Sequence, residues 1–76
     1  MRPEVKITVT ARAVLGKPAP SPVVIVLHYG DTISDVYNRL GNSITGDDIL
    51  TNGHGKEFPR GLSIRGNLIA YVGPRP

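Results

Sequence analysis

An unbroken alternation over residues 4–14 constrains this chain more than any other feature of it. Val5, Ile7, Val9, Ala11 and Ala13 fall on one side of an extended backbone, and Lys6, Thr8, Thr10 and Arg12 fall on the other. A period of two is the pattern of a β-strand with one buried and one solvated face. The fold must therefore contain a sheet whose apolar face something else covers. Residues 16–22 interrupt the strand, with Pro18, Pro20 and Pro22 at every second position. Proline cannot donate a ladder hydrogen bond, so this stretch reads as a stiff, exposed loop. The β-branched run Val23–His28 follows and predicts a second strand, antiparallel to the first.

The cover for that sheet comes next. Residues 31–41, Asp-Thr-Ile-Ser-Asp-Val-Tyr-Asn-Arg-Leu-Gly, predict one short helix over 32–40. Thr32 is placed to cap the free N–H groups, and Asp35 stands three residues on, in capping-box position. Asp31 and Asp35 also lie at the positive end of the helix dipole. Ile33, Val36, Tyr37 and Leu40 have the i, i+3, i+4, i+7 spacing of one buried stripe. Gly41 can adopt the left-handed conformation that ends a helix.

The remaining residues read as turns and short strands. Residues 42–48 are polar and loop-like, with a second helical turn near Asp47–Leu50 as the alternative. Ile49–Thr51 is a short strand, Asn52-Gly53 starts a turn loosened by His54-Gly55, and Lys56–Phe58 returns. Pro59-Arg60-Gly61 breaks the chain, Leu62–Ile64 leads to a turn at Arg65-Gly66-Asn67, and Leu68–Val72 is the final strand. The order predicts an α+β domain over residues 1–76: a mostly antiparallel or mixed sheet of four to five strands with one helix across one face. The loop at 16–22 and a short tail at 73–76 lie outside that frame.

This order resembles the β-grasp, or ubiquitin-like, superfamily. Gly30-Asp31-Thr32-Ile33-Ser34-Asp35-Val36 is similar to its helix start after the second strand. The C-terminal half looks more like the small sulfur carriers of thiamine and molybdopterin synthesis, in Ile49–Gly53, Lys56–Arg60 and Gly66–Val72. In both groups the reacting end is a flexible tail closing on Gly-Gly. Here the corresponding residues are Val72-Gly73-Pro74-Arg75-Pro76, so conjugation and sulfur transfer are not expected. A second resemblance, to the glycan-binding LysM module, rests on Gly30–Val36 together with Asp48-Ile49-Leu50 and Asn52. LysM runs strand–helix–helix–strand and would leave the long first strand unused.

Catalytic chemistry finds no constellation to use. With no cysteine there are no thiol nucleophiles, disulfides or zinc-thiolate sites. His28 and His54 stand far apart without a metal-ligand spacing. Asp47 and Asp48 are adjacent and point apart, in keeping with capping or turn roles. The serines lack a Gly-x-Ser-x-Gly context, and Gly53-His54-Gly55 lacks the Gly-Lys-Ser/Thr ending of a phosphate loop. The expectation is a protein that is not an enzyme and needs no cofactor or metal.

A surface is then the expected functional element. In the final strand Leu68, Ala70 and Val72 share the core parity, which leaves Ile69 and Tyr71 for the opposite face. The ubiquitin-like resemblance implies recognition through that face, at Leu50, Ile69 and Tyr71 with His54 and Lys56 nearby. Charge gives the partner its sign. Residues 31–50 carry four aspartates against Arg39, whereas the rest of the chain carries eight basic residues against Glu4 and Glu57. A protein partner with an acidic or mixed-charge surface fits that distribution. Other readings are a cement-like assembly subunit of a particle and a basic nucleic-acid-binding module, although no Lys/Arg cluster interleaves with aromatics. No apolar run reaches membrane-spanning length, and Met1-Arg2-Pro3-Glu4 does not begin a signal peptide. Location in the cytoplasm, or in a particle assembled there, is expected.

Overall fold

A computed structural model describes residues 2–11, 16, 21–41, 44 and 46–75. Ala13 and most of the proline-rich loop at 16–22 lie outside the described residues. Strand β1 (Glu4–Ala11) pairs antiparallel with β2 (Val23–His28), opposing Ile7 to Ile25 and Thr8 to Val24. Helix α1 (Ile33–Leu40) follows, then β3 (Asp48–Thr51) and β4 (Leu68–Pro74). β4 runs parallel to β1 and antiparallel to β3, so the sheet order is β2-β1-β4-β3. The architecture is α+β: one mixed four-stranded sheet and one helix.

The alternation of β1 does what its period requires. Val5, Ile7 and Val9 are buried beside Ile25 and Leu27 of β2, and the stripe Ile33, Val36, Tyr37 and Leu40 closes over them. Leu50, Ile64 and Ala70 complete this core, with Ile44, Phe58, Leu68 and Val72 packed at its border. The helix starts at Thr32, whose N–H donates to the Asp35 carboxylate at 2.9 Å. That contact is the reciprocal half of the capping box. The first two helical N–H groups, of Ile33 and Ser34, donate to the carbonyls of Leu62 and Arg60 at 3.1 and 2.9 Å. Donors that every helix leaves unpaired are thus met by the chain segment crossing in front of them. Gly41, at φ 52°, ends the helix and donates to Tyr37 O.

Three expectations are corrected. The segment Lys56–Phe58 is not a strand; it meets β3 through the single bridge Thr51–Glu57, and Pro59 has no N–H to continue a ladder. Residues 73–75 are not a loose tail. Gly73 and Pro74 pair with Ile49 and Asp48, and the Arg75 guanidinium donates to both Glu57 carboxylate oxygens at 2.7 and 3.2 Å. The LysM layout is excluded as well: residues 48–51 form a strand, and α1 is the one helix among the described residues.

Candidate functional site

The face of the sheet turned away from α1 carries the second parity of every strand. From β1 it receives Lys6, Thr8 and Thr10, from β2 Val24 and Val26, and from β4 Ile69 and Tyr71. Strand register places Thr8 beside both Val24 and Ile69. Val24 and Ile69 are 57% and 58% exposed, so an apolar row crosses three strands with a threonine at its centre. Lys6 is exposed two residues along β1 from Thr8, on the same side.

Four of the five residues expected in a contact surface gather near one end of this face. Ile69 is open to solvent, and Tyr71 is half-buried opposite Thr51. The Tyr71 ring lies over the turn after β3, where a side chain on Gly53 would start 3.8 Å from its Cε2. That turn exposes His54 and Lys56. It is built around Asn52, whose side-chain oxygen accepts from the N–H groups of His54 and Lys56 at 2.8 and 3.0 Å. Gly55 at φ 83° supplies the left-handed step that brings the chain back.

Leu50 does not belong there. It is fully buried, it joins the core cluster, and it faces α1. Ile49 and Thr51 take the parity expected of Leu50, and both are buried too, at 6% and 1% exposure. The reason is that β3 is covered on both sides, so an exposed face cannot be read from its four residues. Its backbone is held as firmly. The Leu50 N–H donates to the Tyr37 hydroxyl at 2.7 Å, and the Leu50 carbonyl accepts from the Phe58 N–H at 2.9 Å. Above Tyr37 the Arg60 guanidinium carbon sits 4.0 Å from the ring centroid, a cation–π contact.

Two further regions carry charge. A concavity of about 350 Å³ is bordered by Tyr37, Asp47, Glu57, Arg60 and Arg75. Arg75 and Glu57 pair with each other across it, and Arg60 is stacked on Tyr37. At the far end of β2, Asp31 accepts from the His28 N–H and from Arg2, each at 2.9 Å. The His28 N–H, the largest influence, and the Arg2 guanidinium hold the Asp31 carboxyl below its ordinary value, with desolvation working against them. Among the described residues no group of three His, Cys, Asp or Glu side chains could hold a metal ion. No helix among them is long and apolar enough to cross a membrane.

The residues missed by sequence reasoning are Thr8, Val24 and Val26. Their signal was present. A β-branched run on the second strand of an antiparallel pair must turn alternate valines to the same side as Lys6 and Thr8.

The helix laid on a mixed sheet with β1 and β4 parallel at its centre is the ubiquitin-like β-grasp fold. Among solved structures the chain is similar to the ubiquitin of Caldiarchaeum subterraneum, with a TM-score of 0.69 and 12% identity, over 96% of this chain and 95% of that one. Likeness at that identity speaks for the fold. No protein-family model matches the chain, and no curated protein does.

Proposed function

We infer that this chain is a non-catalytic, ubiquitin-like protein-binding module that recognises its partner through the open sheet face around Ile69. The observation that supports this reading most is Ile69 itself, an isoleucine 58% exposed on a strand whose other parity builds the core. Tyr71 stands beside it as a half-buried aromatic anchor, a residue type favoured at interface centres. Lys6, His54 and Lys56 are exposed around the patch and suit a partner with an acidic or mixed-charge surface.

The test is capture from lysate, with and without nuclease treatment, on immobilised wild-type protein and on two single variants, Ile69→Glu and Lys56→Glu. Both sites are exposed, so the melting temperature should stay within a few degrees of wild type. Proteins retained by wild type should be lost by at least tenfold with Ile69→Glu, and more weakly with Lys56→Glu. Equal retention by all three proteins would refute the assigned face. Retention abolished by nuclease would replace the protein partner with a nucleic acid.

A further inference from the structure

We propose that two copies of this chain pair through their β2 edges, antiparallel, in the one register that centres Ile25 on the two-fold axis. The argument begins with which backbone groups of β2 point outward. Tyr29 N–H donates to Pro3 O at 2.8 Å, one step beyond the Glu4–His28 pair. In an antiparallel ladder, hydrogen-bonded and non-bonded pairs alternate. Val23, Ile25 and Leu27 therefore exchange hydrogen bonds with β1, whereas Val24, Val26 and His28 turn their N–H and C=O groups away from it. His28 fits that assignment: its N–H donates to the Asp31 carboxylate and its carbonyl accepts from the Asp31 N–H, both at 2.9 Å.

The open edge is consequently short and bounded. At one end His28 is closed by Asp31, and at the other Pro22 has no N–H. Between them Val24 and Val26 present two donors and two acceptors, and among the described residues β2 has no neighbour but β1. Three two-fold registers pair Val24 and Val26 with themselves or with each other. Setting Val24 against itself brings Pro22 to Val26, where a donor is missing. Setting Val26 against itself brings Val24 to His28, whose N–H is already donated to Asp31. Setting Val24 of one copy against Val26 of the other uses every free donor and acceptor, four hydrogen bonds in all. In that register Pro22 meets His28, the one position where neither strand has an N–H left to satisfy.

The side chains agree with the backbone. Residues 21–28 contain no Asp, Glu, Lys or Arg, so the pairing sets no like charges opposite each other. Exposed edges are ordinarily guarded by lysine, proline, inward charge or a bulge, and between Pro22 and His28 the residues of this one carry none of these. Val24 and Val26, 57% and 39% exposed, would meet their counterparts on the open face as a row of four valines. A longer foreign strand would run into Pro22 and the Asp31 closure; a second copy carries the matching boundaries. The inference does not depend on the Ile69 patch, which lies on β4.

A single strand pair buries less than the roughly 1,200 Å² of stable complexes, so the dimer should be weak, with a Kd on the order of 0.1–1 mM. Sedimentation equilibrium and amide exchange on the full chain, over about 10 µM to 1 mM, read it directly. The expected result is a mass rising toward the dimer, with protection of the Val24 and Val26 amides growing in parallel. The double variant Val24→Lys/Val26→Lys should keep the monomer's melting temperature and weaken association at least tenfold. Mixing it with Val24→Glu/Val26→Glu should restore association, since the register sets lysine opposite glutamate. A wild-type mass that stays monomeric overturns the proposal. So does protection confined to another edge, undiminished association of the lysine variant, or no recovery in the mixture.

Discussion

The two edge strands of this sheet solve the same problem in opposite ways. On β3 the outward-facing groups are all met along Leu50 and Asn52. Leu50 donates to the Tyr37 hydroxyl and accepts from Phe58, while Asn52 donates to Lys56 O and accepts from Gly55. On β2 the corresponding groups of Val24 and Val26 have no such cover among the described residues. The faces differ likewise: Ile49, Leu50 and Thr51 are all buried, whereas β2 alternates exposed and buried from Val24 to His28. An edge becomes interior when a loop returns across it, and residues 52–60 do that for β3. Among the described residues nothing comparable crosses β2.

The sharpest way to break this contrast is to truncate one side chain on each edge. Leu50→Ala removes a fully buried leucine from the core cluster. It should cost about 2–5 kcal/mol, a large share of a small domain's stability. Val24→Ala removes a side chain that solvent already reaches and should change stability by no more than about 0.5 kcal/mol. Chemical denaturation of both variants decides the matter. Comparable losses would mean that the edges are not different in kind.

That contrast also marks where the sequence can be read. β1, β2 and α1 were legible because each has one buried side, and one-sided burial writes its period into the residues. The same logic placed Ile69 and Tyr71 correctly, since Ala70 and Val72 take the core parity. It misplaced Leu50 because the adjacent apolar pair Ile49-Leu50 has no alternation to read. Two-sided burial of β3 draws on Tyr37 of α1 and on Phe58 and Arg60 of the returning segment, none of which the strand's own four residues announce. The extension of β4 through Pro74 was hidden for a related reason. Gly73 and Pro74 are poor strand formers by themselves, and they pair here with Ile49 and Asp48 at the end of the sheet.

A smaller change probes the cover of β3 without touching its side chains. Tyr37→Phe keeps the ring in the core and under Arg60 but deletes the oxygen that accepts from the Leu50 N–H. A buried donor without a partner costs about 1–3 kcal/mol. The Leu50 amide should therefore exchange faster relative to the Ile7 amide at the sheet centre, and denaturation should show a loss within that range. If both stay at wild-type values, the hydroxyl contributes nothing to closing the edge.

The smallest effect is expected where β2 comes closest to being closed, at Asp31. Its carboxylate takes the His28 N–H and pairs with Arg2 on a partly exposed surface. Solvent screening keeps such a contact modest. Because the folded state holds this carboxyl below its ordinary value of 3.8, ionised Asp31 favours the folded chain. That contribution is complete above the ordinary carboxyl value and disappears as pH falls through the lowered folded one. Asp31→Asn should accordingly melt below wild type at neutral pH, with the gap closing as wild type is acidified and Asp31 takes up its proton. A gap that persists unchanged into strong acid would assign the loss to amide geometry instead of charge. A gap absent at neutral pH would mean that Asp31 does not hold the end of β2 closed, leaving the His28 N–H free to lengthen the open edge.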